Sequence, residues 1–280
     1  MRQKLSLVVA LALVSPVMAQ STDTLDGLWN FQDAVPTPAG QTDIRFSFGW
    51  ETGTFGHGSG DDLIATPSLY WGMDEGYELS LSMPAYVGDG GNRSGYADGN
   101  YDTYMGLLAR LQEQEGDGAA IALAVNLRIP TGNNSEKVDA EARLIATHDY
   151  GDSGVRTHCN LFVTSANGGN NHGDSGRGML GMGRFIGNRG SDNTRDLQFG
   201  AVLGADGPLC DDGAVRWVFD YMHRSSMNDG ENNWNVAEVG WEWMMNESDR
   251  LGLSVQVNLD RSTDASDVGA IMSFAHAMTY

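Results

Sequence analysis

Residues 267–280 split into two interleaved sets. Val268, Ala270, Met272, Phe274, Met278 and the terminal Tyr280 alternate with Asp267, Gly269, Ser273, Ala275, Ala277 and Thr279. Successive side chains of a strand point to opposite faces, so this segment presents one broad apolar face and one small or polar face, and it stops on an aromatic ring. That is the pattern of a closing strand in an outer-membrane β-barrel, with lipid on one side and a lumen on the other. His276 interrupts the apolar face.

The same alternation recurs along the chain, giving twelve segments in all. The first sets Ile44, Phe46, Phe48 and Trp50 outward against Arg45, Ser47 and Glu51; the second, residues 63–71, is the least regular and contains Pro67, which removes a ladder hydrogen bond. Tyr77, Leu79, Leu81 and Met83 oppose Glu78, Ser80 and Ser82, and Met105, Leu107, Ala109 and Leu111 oppose Tyr104, Gly106, Arg110 and Gln112. Ile121, Leu123, Val125, Leu127 and Ile129 face away from Ala122, Ala124, Asn126 and Arg128. Residues 140–150 place Leu144 outward and Glu141, Arg143 and Thr147 inward; Val155, Cys159, Leu161 and Val163 oppose Arg156, His158, Asn160 and Thr164. Leu197, Phe199, Ala201 and Leu203 oppose Asp196 and Gln198, and Val215, Trp217, Phe219 and Tyr221 oppose Arg216 and Asp220. Val239, Trp241 and Trp243 oppose Glu238, Gly240 and Glu242, and Leu251 to Leu259 alternate with Gly252, Ser254, Gln256 and Asn258.

Connection lengths supply an independent test. Short links at 73–76, 115–118, 151–154 and 246–249 alternate with long ones at 53–61, 87–100, 165–194 and 224–233, as expected when turns lie on the periplasmic side and loops on the outer side. Residues 205–213 form one turn that is long for its side. Residues 179–186 are assigned to the outer loop, because Gly and Asn dominate their neighbourhood. An even strand count leaves both termini in the periplasm. Aromatics cluster near strand ends, as interfacial girdles require.

Arg2 and Lys4 precede an apolar run over residues 5–14 and then Val17-Met18-Ala19, the pattern of a cleaved signal peptide over residues 1–19. That run is about half the roughly 20 residues a membrane helix needs. Residues 20–40 then form a periplasmic N-terminal segment, and residues 41–280 the barrel. Loss of Arg2 and Lys4 takes the formal net charge from −20 to about −22 and leaves Lys137 as the sole lysine. An acidic chain without a basic cluster is a poor binder of nucleic acid. Mean hydropathy is hydrophilic, which is uninformative for a barrel, since only every second strand residue must be apolar. Export to an oxidising compartment permits a bond between Cys159 and Cys210, but a strand residue and a turn residue meet only if the turn folds back.

By the fifth segment the order resembles the outer-membrane transporter family of the MetA pathway of phenol degradation. YELSLSMPAY at 77–86, YDTYMGLLARL at 101–111 and GAAIALAVNLRIPTG at 118–132 carry the resemblance, with HCNLFV around Asn160 a looser fit. Tyr101 stands where the family pattern has Gly. The resemblance covers about residues 41–280. It implies a channel or passive transporter for small molecules, hydrophobic or aromatic ones among them.

Chemistry would reside in the inward set. Arg45, Arg110, Arg128, Arg143, Arg156 and Arg216 share it with Glu51, Glu78, Glu141, Asp196, Asp220, Glu238 and Glu242, and His158 and Asn160 join them. Facing rows of arginine and carboxylate either hold a transverse field across a water-filled constriction or pair up and plug a closed lumen. Twelve strands fall between the eight that side chains can fill and the sixteen or more that leave an open channel, so both outcomes are physically allowed. A lipid hydrolase would need a hydroxyl activated by a base, and neither a G-x-S-x-G elbow nor a Ser–His spacing is present. A third reading, an adhesive or structural barrel, rests on the size of the 165–194 loop. Neither cofactor nor metal is expected, since His57 and His172 stand outside any metal-ligand motif. Loop residues Asp61, Asp62, Asp89 and Asp98 could bridge cations to lipopolysaccharide, although solvated loop charge is the simpler reading. The expected partners are membrane lipid and lipopolysaccharide, a small-molecule solute, and the barrel-assembly machinery acting on Phe274 and Tyr280.

Overall fold

The computed structural model describes residues 30–52, 62–88, 102–131, 138–165, 197–210, 213–225, 233–260 and 268–280. The signal-peptide expectation, His57, Asp61, Asp89, Asp98, His172, residues 179–186 and Asp196 lie outside them. Among the described residues there are thirteen strand segments: β1 (Gln41–Thr52), β2 (Asp62–Asp74), β3 (Tyr77–Ser82), β4 (Ala85–Gly88), β5 (Thr103–Gln112), β6 (Ala120–Ile129), β7 (Asp139–Asp149), β8 (Arg156–Ser165), β9 (Leu197–Pro208), β10 (Val215–Arg224), β11 (Trp234–Met244), β12 (Asp249–Asn258) and β13 (Val268–Thr279).

All pairings are antiparallel and, apart from β4, which pairs with β2, and β3, which pairs with β2 and β5, join strands consecutive in the chain; β1 pairs with both β13 and β2, so the sheet closes. Closure leaves no sheet edge, the condition for a strand to cross lipid. β3 and β4 both lie along β2 and are two pieces of one barrel strand, which makes twelve strands. The interruption has a cause in covalent chemistry. Met83 donates its N–H to the Pro67 carbonyl (3.1 Å), but Pro67 has no hydrogen to return, and Pro84 removes the next donor on the partner side.

The alternation read from sequence is the division between wall faces. Phe274, Phe219, Trp241 and Leu144 stand outward and exposed, while Arg143, Glu141, Asn160 and Asp220 stand inward and buried. A water-soluble protein would reverse this. The short turns share a rim with the ends of the barrel chain, where Tyr280 N–H donates to the Gly40 carbonyl (3.1 Å) and Trp71 Nε1 donates to the Tyr280 hydroxyl.

One expectation changes. β9 runs on to Pro208, paired with β10 through Arg216↔Pro208, so the long turn at 205–213 contracts to residues 209–214. Cys159 and Cys210 are both free thiols, with Cys159 on the β8 wall and Cys210 exposed in that turn.

Candidate functional site

The N-terminal segment does not lie outside the barrel. Residues 30–34 and Thr37 are buried against inward side chains of β3, β7, β8, β10 and β11, so the expectation of a periplasmic segment over 20–40 fails for this part. The cause is hydrogen-bond satisfaction: a lumen walled by carboxylates, amides and guanidinium groups offers partners to a bent backbone that carries no strand of its own.

The main-chain N–H groups find side-chain acceptors, most of them on the wall. Asn30 N–H donates to Asp220 Oδ2 (3.0 Å), Gln32 N–H to Asn160 Oδ1 (2.6 Å) and Ala34 N–H to Thr147 Oγ1 (3.0 Å). In return Arg143 Nη1 donates to the Asn30 carbonyl (3.0 Å) and Asn160 Nδ2 to the Gln32 carbonyl (2.9 Å). Further along, Thr37 donates both its N–H and its hydroxyl to Glu78 Oε2 (2.9 and 2.7 Å). The intervening side chains insert into the wall. The Phe31 ring stacks on His158 (centroids 4.1 Å, interplanar angle 12°), and Arg156 Nη1 donates to Asp33 Oδ2 (2.9 Å). Room for that ring comes from Gly204, where a Cβ would lie 2.5 Å from Phe31 Cδ1.

Around the segment the charges pair with neighbours on the wall. Asp206 accepts from Arg156 Nη2 (3.1 Å), Arg216 Nε (2.8 Å) and His158 Nε2 (2.7 Å). His158 Nδ1 meets Thr147 Oγ1 (3.1 Å), so the bond that holds Ala34 continues through Thr147 and His158 to Asp206. Arg128 binds Asp139 Oδ2 (2.6 Å) and Asp102; Arg143 binds Glu141 Oε1 (3.1 Å). Arg250 binds Asp43 (2.8 Å), with Arg45 3.7 Å from the same carboxylate and Glu242 3.9 Å from Arg250. Aromatic faces are covered too: Arg45 lies over Tyr70 (4.4 Å) and Arg143 over Phe162 (4.7 Å).

In these contacts most of the described arginines have an acid partner. Arg128 and Arg156 reach acids on adjacent strands and on the segment, and Glu238 and Glu242 are held near β10 and β12. Arg110 pairs with the exposed Glu113 and, like Arg156, borders a cavity of about 870 Å³ at the turn rim. That cavity is lined by residues 35–39 of the segment together with Gln114, Thr147, Asp149 and Arg156.

Sequence reasoning missed Asp33, Asp43, Asp102, Asp139 and Asp206 as partners of the arginines, and missed Asn30, Phe31 and Thr37 altogether. Asp43 and Asp206 keep the inward parity of their strands, so extending the alternation to the strand ends would have found them. Nothing in the segment has a periodicity to detect. Among the described residues no group of three or more His, Cys, Asp or Glu is arranged to hold a metal ion.

No protein-family model matches the chain, and no curated protein matches it. Among solved structures the chain is similar to the NanC porin, with a TM-score of 0.56 at 8% identity over 84% of this chain and 98% of that one. The KdgM porin follows with a TM-score of 0.49 at 9% identity over 84% and 98%. The CymD monoaromatic hydrocarbon channel has a TM-score of 0.44 at 9% identity over 87% and 89%. The likeness to NanC is one of fold: this chain forms a twelve-stranded barrel of the outer-membrane porin type. The two looser similarities carry no argument.

Proposed function

We propose that the protein is an outer-membrane channel, passive and non-catalytic, that passes small polar or charged solutes and is held closed by residues 30–37 seated in its lumen. The observation that carries this reading is the way the lumen is filled. A strand wall that only needed a core would use apolar packing, whereas here one irregular segment is held by hydrogen bonds and one ion pair, above a cavity of about 870 Å³. Such contacts exchange readily for water, because the net worth of each is about 0.5–1.5 kcal/mol.

Polar solutes are favoured over the hydrophobic or aromatic ones implied by the resemblance to the phenol-degradation family. The π-faces of Tyr70 and Phe162 are already covered by guanidinium groups, so those rings offer little to an aromatic guest. The exposed outward band of Leu, Phe and Trp suits membrane lipid.

The test is a planar-bilayer recording of wild type and Phe31→Ala, each refolded to the heat-modifiable form. Wild type should show small or rare openings, and Phe31→Ala larger or more frequent ones. Absence of current in both folded proteins would overturn the channel.

A further inference from the structure

We infer that the lumen wall is a binding track for a peptide without regular secondary structure, occupied here by residues 30–37 of the same chain, and that it takes a second peptide carrying an aromatic residue followed two positions later by a carboxylate. This rests on the channel reading only for its biological use; the site itself stands on geometry.

The wall reads the main chain more than the side chains. Asp220, Asn160 and Thr147 accept the amide hydrogens of residues 30, 32 and 34, and Arg143 and Asn160 donate to the carbonyls of 30 and 32. Asn160 thus holds both polar groups of one residue, as a neighbouring strand would. Main-chain bonds of this kind supply affinity to many sequences, and pockets for alternate side chains supply selection. Two such pockets are present. One is the slot between His158 and Gly204 that holds Phe31, and the other is the Arg156 guanidinium that holds Asp33.

A polar row adjoins the resident segment. Beside Asn30, along the facing β11 and β12 wall, Glu238 is hydrogen-bonded by Ser254 and Gln256, and Asn258 follows in the same row. The ligand class is therefore a peptide without regular structure of its own, not a folded protein and not an apolar molecule.

The experiment uses the full chain with its own segment weakened, Phe31→Ala with Asp33→Asn, and Phe31→Ala alone should the pair fail to fold. These changes leave every wall strand unaltered, and heat-modifiable migration reports the barrel. The probe is a fluorescent peptide of the sequence NFQDAVPTP, read by anisotropy in detergent. The weakened protein should bind it, wild type should bind at least about tenfold more weakly because its track is filled, and a scrambled peptide should lose about tenfold, equivalent to about 1.4 kcal/mol. Asn160→Ala in the wall of the weakened protein should lower affinity for the probe by a similar factor. A folded, weakened barrel that ignores the peptide, or binds the scrambled one equally, overturns the track. Peptide binding without any bilayer current would remove the channel and keep the track; current without peptide binding would do the reverse.

Discussion

Replacing Asp206 with asparagine removes a carboxylate shared by Arg156, Arg216 and His158 while keeping its shape. Removing one partner of a buried ion pair costs about 3–5 kcal/mol, because the remaining charge is left in a poorly solvating site. Here both arginines keep some support, Arg156 from Asp33 Oδ2 (2.9 Å) and Arg216 from the Gly154 carbonyl (3.0 Å), so the lower end of that range, about 3 kcal/mol, applies. Asp206→Leu, which also removes the acceptors, should cost more. Urea unfolding in lipid vesicles, followed by the fluorescence of the seven tryptophans, gives the difference. Adding Arg216→Gln to Asp206→Asn should recover part of the loss, since the second change removes the charge that the first one stranded. A variant within about 0.5 kcal/mol of wild type would refute the reasoning, as that is the size of an ordinary surface change. The Asp206 cluster would then be solvated by water.

Gly204→Val should expel the Phe31 ring, since the new Cβ would lie 2.5 Å from Phe31 Cδ1, and residues 30–37 should then become open to protease in the folded barrel. Unchanged cleavage would count against the seated segment. Phe274→Asp places a charge on an outward position that is 42% exposed and paired with Phe46 and Leu251, and it should reduce folded yield in the outer membrane. Deleting Tyr280, which takes a hydrogen bond from Trp71, should do so more mildly; full yield in both would reverse the face assignment. Arg110→Gln should shift the reversal potential across a salt gradient toward cations without lowering stability, because Arg110 lines the cavity and pairs with an exposed acid, and high salt should shrink the shift. Arg128→Gln should instead lower stability, as it leaves Asp102 and Asp139 without their guanidinium.

The barrel was legible because a period of two is a local property. Residues 121–129 announce their inward and outward faces with no knowledge of the neighbouring strands, and β6 keeps both. Inward orientation was legible for the same reason: Arg143, Arg156, His158, Asn160 and Asp220 all stand where the alternation puts them. Partnership was not legible, because it depends on register between strands. The pairing Arg156↔Asp206 joins residues fifty positions apart and follows only once β8 and β9 are aligned. The reading of 205–213 as a turn hid Asp206 at the same time. Residues 30–37 were illegible for a further reason: a segment that borrows its hydrogen bonds from a wall needs no periodicity of its own.

Register also explains why the segment sits where it does. Most charges in the wall are cross-strand neighbours of opposite or neutral type, such as Arg128↔Asp139, Arg156↔Asp206 and Arg216↔Glu242. Asp220↔Glu238 breaks the pattern by placing two carboxylates directly opposite each other, an arrangement that costs stability unless donors intervene. Asn30 is the donor. Its backbone N–H and its side-chain amide give hydrogen bonds to Asp220 Oδ2 (3.0 Å) and Oδ1 (2.9 Å), and the same amide reaches Glu238 Oε2 (3.1 Å). A guanidinium at that position would hold the two acids permanently and fix the wall. A neutral amide on a segment outside the strands bonds three of their four oxygens without adding charge, and Ser254 and Gln256 of β12 also hydrogen-bond to Glu238. In the proposed channel, release of residues 30–37 would take the Asn30 amide from Asp220 and Glu238 and leave an acidic lining that favours cations.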